Sequence, residues 1–144
     1  KNVSLDFGGI GKGMALDKAA AILNAYPSTH AFISFGGSSV LTRGHHPHGE
    51  FWPCSFREPG ITETWHLTDD ALSISQTRAE KENNPHILNI FENNPRNLMA
   101  CVQSSSATDA EVLSTALLAG PENLHNSIVA AFNIKKHRIY NLIA

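Results

Sequence analysis

A glycine-rich stretch near the start of the sequence has the residue types of an anion-binding loop. Residues 6–13 read Asp-Phe-Gly-Gly-Ile-Gly-Lys-Gly, which places one lysine among glycines. Glycines let successive backbone N–H groups converge on one point, and a following helix N-terminus adds partial positive charge. Lys12 would add a full charge, so phosphate is the ligand that such a loop would bind. This stretch alone nevertheless favours an ordinary strand-to-helix turn, because the nucleotide P-loop would need glycine at position 6 and Ser or Thr after Lys12.

Oxygen-bearing side chains cluster at the start of a predicted helix late in the chain. Among them, Glu111 and Thr115 are four residues apart, so they share one face of that helix. Each of the two has a purely structural interpretation. Thr108 and Glu111 match a capping box at the helix N-terminus, and Thr115 could bond to its own preceding turn.

Histidines occur at two further places where chemistry is conceivable. His86 opens a predicted strand beside a polar loop, a position where a lone histidine is more often structural. His45, His46 and His48 lie in a polar loop between glycines. Two of them could share a transition metal, but no further ligand can be placed, so a solvated loop is favoured.

Composition excludes several classes of function. The 144 residues suit one domain, and 11 Lys plus Arg against 13 Asp plus Glu, with a pI near 6.5, give no basic surface for nucleic acid or an anionic membrane. No apolar run is long enough for a membrane span. Cys54 and Cys101 form neither a disulfide framework nor a zinc motif, and they leave the redox compartment open.

Hydrophobic periodicity predicts an α+β fold with a mixed or mostly antiparallel sheet and packed helices. Helices are predicted over residues 14–26, 109–118 and 122–132. Strands are predicted over residues 3–7, 31–35, 40–41, 51–56, 64–67, 71–75, 86–91, 98–102 and 138–143. The run from 51 to 75 predicts an antiparallel meander. The first helix should bury a stripe that includes Ile22 and Tyr26, and the Gly36-Gly37 turn predicts a hairpin whose exposed backbone is a second ligand edge.

Several segments together resemble the ApbE family of FAD:protein FMN transferases, formerly called thiamine-biosynthesis lipoproteins. Residues 6–13, followed by Ala15 and Asp17, resemble the family signature Asp-x-Gly-Gly-Ile-Ala/Gly-Lys-Gly and the helix behind it. Residues 110–117 resemble its helix Ala-Asp-Ala-Leu-Ser-Thr-Ala-Leu, and residues 86–89 its His-Ile-Ile-Asp segment. Weaker similarities are a Gly-Gly turn at 36–37, a tryptophan strand at 52–59 and a Thr-Ser-Gly element at 73–75.

The resemblance implies a reaction and a set of site residues. FMN would pass from FAD to a Ser or Thr hydroxyl of an acceptor flavoprotein, AMP would be released and Mg²⁺ would assist; some members instead hydrolyse FAD. Metal ligands would be the Gly11 carbonyl, Glu111 and Thr115, and the catalytic residues would be Lys12 and His86. Flavin nucleotide would contact Gly8, Gly9, Gly11, Lys12, Gly13, Asp17, Gly36, Gly37, Ser75 and His86.

Departures from the family pattern keep a second interpretation open. Glu111 replaces an aspartate, Gln76 a glycine, Asn89 an aspartate and Ser38 an acid or amide. Residues 1–144 are expected to form a single domain that covers only the later portion of a family member. The sequence leaves open whether the segment that completes the flavin pocket was cut off, lies in a partner chain of an oligomer or never existed. The alternative function is therefore a non-catalytic nucleotide-binding module or subunit. Family members are often periplasmic or membrane-anchored bacterial lipoproteins, but the sequence leaves the compartment open.

Overall fold

The structure is a computed structural model that describes residues 5–77, 87 and 97–143. Its helices are α1 (Gly11–Leu23), α2 (Ala107–Ala119) and α3 (His125–Ala130), with a 3-10 turn at Glu122–Leu124. Its strands are β1 (Ala31–Phe35), β2 (Ser39–Arg43), β3 (Trp52–Glu58), β4 (Ile61–Leu67), β5 (Ala71–Gln76), β6 (Leu98–Ser104) and β7 (Ile134–Asn141). The predicted α+β class is confirmed.

Two antiparallel sheets organise these strands. The larger has five strands in the order β1-β2-β5-β6-β7, and each neighbouring pair is antiparallel. The smaller is the β3-β4 hairpin. No helix in the described part of the chain is long and apolar enough to cross a lipid bilayer.

The five-stranded sheet is the middle of three layers, and β6 shows why. Every residue of β6 is buried, and side chains alternate between the faces of a strand. One face packs against α2 in a cluster of Leu98, Ala100, Val102, Ala110, Leu113, Leu117 and Leu118. The opposite face packs against the β3-β4 hairpin in a cluster of Cys54, Trp65, Leu67, Leu72, Met99 and Cys101. The helices α1 and α2 are thereby held side by side on one face of the sheet.

At the beginning of the described chain, the structure differs from the predicted first strand and from the predicted first helix. Residues 5–7, predicted as part of a strand, form no regular element, and Leu5 and Phe7 are 80% and 67% exposed. The alternation there forms no ladder with any strand among the described residues. Helix α1 begins at Gly11 rather than at residue 14 and buries Leu16 instead of the predicted stripe that included Ile22 and Tyr26, both of which are exposed.

The predicted meander over residues 51–75 is wrong in its last step. β3 and β4 pair as predicted, but β5 leaves them and pairs with β2 and β6. The backbone N–H and the hydroxyl of Thr42 both donate to the Asp70 carbonyl, at 2.7 and 2.9 Å, which draws the start of β5 onto β2. The predicted loop at 76–85 and strand at 86–91 lie outside the described residues, except that Gln76 ends β5 and that Thr77 and Ile87 are described.

Candidate anion and metal site

The glycine-rich segment is a turn that runs directly into α1. Asp6 Oδ1 accepts a hydrogen bond from the Gly8 N–H at 2.8 Å, and the N–H groups of Ile10 and Gly11 donate to the Phe7 carbonyl at 3.1 and 3.0 Å. Gly8 and Gly11 are exposed. The predicted loop therefore presents its backbone to solvent at the N-terminus of a helix, where the first N–H groups have no partner within the helix.

Glu111 reaches this helix terminus from α2. Its side chain is 1% exposed, and its two carboxylate oxygens accept hydrogen bonds from the Lys12 ammonium and from the Gly13 N–H. A buried carboxylate needs compensating charge and hydrogen bonds, and here a lysine and a helix N-terminus supply them. Lys12 and Glu111, which are 99 residues apart in sequence, therefore form one site.

Thr115 lies one turn further along α2 and touches the same segment. A Cβ atom placed on Gly9 would lie 3.1 Å from Thr115 Cγ2 and 3.3 Å from its Oγ1. The Thr115 hydroxyl is also 3.3 Å from Ser75 Oγ in β5. Ser75 Oγ in turn lies 2.8 Å from Ser114 Oγ. The hydroxyl groups of β5 and α2 thus line the floor beneath the glycine segment.

The Gly36-Gly37 turn forms a side of the site. Both glycines have positive φ, 63° and 72°, which side-chain-bearing residues rarely adopt. A Cβ on Gly36 would lie 3.6 Å from Lys12 Cδ, so the turn runs along the lysine stem. The structure brings together these predicted site residues: Gly9, Lys12, Gly13, Gly36, Ser75, Glu111 and Thr115. His86 lies outside the described residues, so its assignment stays a prediction.

Asp17 lies away from this cluster, at the N-terminus of α2. Its carboxylate accepts hydrogen bonds from the backbone of Ala107 and Thr108, at 2.8 and 3.0 Å, and from two hydroxyls, Thr108 Oγ1 at 2.6 Å and Ser106 Oγ at 3.2 Å. Burial alone would raise the pKa of Asp17, but these hydrogen bonds outweigh it and hold the pKa below its ordinary value. Its predicted contact with a nucleotide stays a prediction, because these hydrogen bonds all join Asp17 to residues 106–108 at the start of α2.

The capping box predicted at Thr108 and Glu111 is wrong. Helix α2 begins two residues earlier than predicted, with Ser106 as its N-cap, and Ser106 Oγ accepts from the Asp109 N–H at 3.1 Å. The Glu111 side chain therefore does not cap its own helix but accepts a hydrogen bond from the first turn of α1. Asp17 of α1 in turn caps α2. The Ser106-x-x-Asp109 spacing is a recognisable N-cap signal. Sequence reasoning missed it because the adjacent Thr108 offered a second, better-matching box.

A cavity of about 500 Å³ opens beside the Gly-Gly turn. The turn residues 36–38 form one wall, and the rest is lined by the apolar side chains Phe56, Ile74 and Met99 together with Arg57, Glu58 and Gln76. Gln76 Nε2 donates to Glu58 Oε1 at 2.8 Å across it. A second cavity of about 290 Å³ shares Gly37, Ser38, Phe56 and Ile74 with the first, so the two form one groove.

The donor chemistry of the cluster fits magnesium. A glycine carbonyl, a carboxylate and a hydroxyl are hard oxygen ligands, and Glu111 and Thr115 are one helical turn apart beneath the glycine segment. Glu111 Oε1 is in contact with the Lys12 ammonium, so a divalent ion on that oxygen requires the lysine to move. No cluster of three or more His, Cys, Asp or Glu side chains that could hold a metal occurs within residues 5–77, 87 and 97–143, and this includes the loop histidines.

The family model for the ApbE family matches residues 1–134. The chain is similar to the apo form of the flavinyl transferase ApbE of Pseudomonas stutzeri, with 27% identity and a TM-score of 0.68 over 83% of this chain and 39% of that one. The flavin transferase ApbE of Vibrio cholerae gives 21% identity and a TM-score of 0.71, with 96% of this chain and 50% of that chain covered. The ApbE protein of Thermotoga maritima gives 23% identity and a TM-score of 0.70, with 89% of this chain and 45% of that chain covered.

The chain thus spans half or less of the length of these solved structures. The two with the lower identities show the fold alone. Among curated proteins, no match to the sequence was found.

Proposed function

Because the chain belongs to the ApbE family, we propose that it forms the phosphate- and metal-binding part of a flavin transferase. In the proposed reaction, FMN moves from FAD to a Ser or Thr hydroxyl of an acceptor flavoprotein, and AMP is released. The phosphorus–oxygen bond to AMP breaks as a bond from the acceptor oxygen to the FMN phosphorus forms. The proton of the hydroxyl leaves to a base, for which His86 is the predicted candidate.

The observation that carries this proposal is the meeting of the glycine segment with the polar face of α2. Lys12 contacts Glu111, and Gly9 lies against Thr115, although about a hundred residues separate each pair. A helix cap alone would not require a lysine that is 30% exposed beside the exposed glycines Gly8 and Gly11. An anion with charge on several oxygens would be recognised by this combination.

The chain's own residues divide the work on the pyrophosphate. The exposed backbone at Gly8 and Gly11 lets phosphate oxygens approach the start of α1, and Lys12 can neutralise the charge that grows on the leaving phosphate. Glu111, Thr115 and the Gly11 carbonyl would hold Mg²⁺. When bound, this ion would polarise the phosphoryl group under attack.

The groove beside the Gly-Gly turn is the proposed site for a ring of the flavin nucleotide. It begins where Gly36 lies along the Lys12 stem, so a phosphate at Lys12 would place an attached group at its mouth. The side chains of Phe56, Ile74 and Met99 offer the apolar surface that a planar aromatic ring buries.

The test combines the protein with FAD, Mg²⁺ and an acceptor protein that carries a target Ser or Thr. We expect stoichiometric AMP release and covalent flavin fluorescence on the acceptor. Thr115→Val, which keeps the shape but removes a proposed ligand, should slow both by about tenfold or more. Thr62→Val, an exposed threonine of β4, is the matched control and should leave the rate unchanged.

Two outcomes would contradict the transferase proposal. If the reaction yields no AMP and no labelled acceptor, the proposal is overturned outright. FAD bound in equilibrium dialysis without any AMP release would instead identify a non-catalytic nucleotide-binding module.

A further inference from the structure

We propose that Lys12 is an exchangeable cation within the site. It neutralises Glu111 until a divalent cation binds that carboxylate, and it then transfers its charge to the phosphate of the nucleotide. Lys12 is in this view a positioning residue for the metal as well as a ligand of the anion. The inference rests on the proposed function, because it concerns the metal and phosphate of the same site.

Burial of Glu111 makes a resident cation necessary. Its side chain is 1% exposed, and a carboxylate so far removed from water is stable only with a compensating positive charge. The Gly13 N–H supplies a hydrogen bond and the partial charge of a helix terminus at one oxygen. Lys12 supplies the only full charge found on the other oxygen within the described residues.

Lys12 and a divalent ion compete for the same atom. The Gly13 N–H occupies Glu111 Oε2, so Oε1 is the oxygen available to a metal. The Lys12 ammonium contacts this same Oε1. Two cations cannot share one buried oxygen at contact distance without strong repulsion. Metal binding at Glu111 therefore displaces the lysine.

The Lys12 side chain has room to move away from Glu111. This side chain is 30% exposed, whereas that of Glu111 is 1% exposed. The lysine stem extends along Gly36, where a Cβ atom would lie 3.6 Å from Lys12 Cδ. It also starts from the first turn of α1, next to the exposed glycines. A rotation of its flexible stem carries the ammonium from Glu111 to an anion at those glycines without moving the backbone.

This exchange couples the two ligands. A metal on Glu111 frees Lys12 for the phosphate, and a phosphate that attracts Lys12 uncovers Glu111 for the metal. Each ligand then raises the affinity for the other by the same factor. The site would bind metal weakly when empty and tightly when loaded with nucleotide.

The first test measures Mn²⁺ binding to the protein alone by titration with electron paramagnetic resonance. Replacing the competing ammonium by a neutral side chain in Lys12→Met should raise Mn²⁺ affinity about fivefold or more. Lys12→Arg, which keeps the charge, and Lys18→Met, on an exposed position of the same helix, should match the unmodified protein. Lys12→Gln provides a second neutral variant should the methionine variant fold poorly.

The second test isolates movement of the lysine to phosphate and needs no metal. Glu111→Gln releases Lys12, so in the presence of EDTA it should raise affinity for inorganic pyrophosphate about fivefold in calorimetry. In a Lys12→Met background the same substitution should give no gain, because the lysine is the group that moves. An equal gain in both backgrounds would reflect removal of a negative charge in general and would overturn the proposal.

Mn²⁺ affinity that is unchanged in both neutral Lys12 variants, or absent from every variant, would also overturn it. Neither result bears on AMP release, which decides the proposed reaction. The protein could release AMP while Lys12 stays on Glu111, in which case the exchange alone would be wrong.

Discussion

Gly13 lies where α1 packs against the backbone at the start of α2. A Cβ on Gly13 would lie 2.5 Å from the Ala107 carbonyl oxygen and 2.7 Å from Thr108 Cα, and both are backbone atoms that cannot rotate away. Gly13→Ala should therefore push the helices apart and lower the free energy of unfolding by about 1–3 kcal/mol. Urea denaturation followed by circular dichroism measures the change.

Gly11 provides the control for that prediction, two residues earlier in the same helix. A Cβ there meets nothing within 4 Å, and alanine favours a helix over glycine by up to about 1 kcal/mol. Gly11→Ala should leave stability unchanged or slightly higher. Equal losses in the two variants would mean that chain flexibility, rather than helix contact, explains the glycine at position 13.

The two helices hold each other by reciprocal caps. Glu111 of α2 closes the start of α1, and Asp17 of α1 closes the start of α2. Asp17→Asn should lower the free energy of unfolding by about 1–2 kcal/mol near pH 7, since an ionised cap bonds more strongly than an amide. Thermal unfolding of both proteins across a pH series would measure this difference.

The pH dependence follows from the lowered pKa of Asp17 in the folded protein. A lowered carboxyl pKa contributes stability above its unfolded value of about 4 and loses it as pH falls through the lower folded value. The difference between the unmodified protein and Asp17→Asn should thus shrink below about pH 4. Thr62→Val, at an exposed position of β4 and without an ionisable group, is the control and should show no such pH-dependent difference.

Local signals predicted the elements, but not which elements meet. The strands at 31–35 and 98–102 and the late helix were readable because their periodicity and their turns are local in sequence. The pairing of β5 with β2 depends on bonds between Thr42 and Asp70, and the Asp17 cap joins residues about 90 positions apart. Such partners have no signature in a short window. The resemblance identified Lys12 and Glu111 as site residues, but not their direct contact.

The three-layer arrangement protects both cysteines of the chain. Cys54 and Cys101 are free and buried in the cluster between the sheet and the β3-β4 hairpin. Burial raises the pKa of Cys54 to about 11 and, with the charge of Glu63 adding to it, that of Cys101 to about 12. At pH 8 both thiols are therefore protonated and poorly nucleophilic.

We expect the folded protein to react with a thiol-specific disulfide reagent at pH 8 at least about a hundredfold more slowly than the unfolded chain. In denaturant both thiols should react at once. Cys54→Ala would assign any residual native reactivity to one position. Rapid reaction of a thiol in the native state would show that the hairpin separates readily from the sheet.

Successive residues of strand β6 contact opposite layers of the fold. Leu98, Ala100 and Val102 face the helices, whereas Met99 and Cys101 face the hairpin. Inserting or deleting one residue would exchange these two sets and send every side chain to the wrong neighbour. The strand that supports α2, and through it Glu111 and Thr115, can therefore change by substitution but not in length.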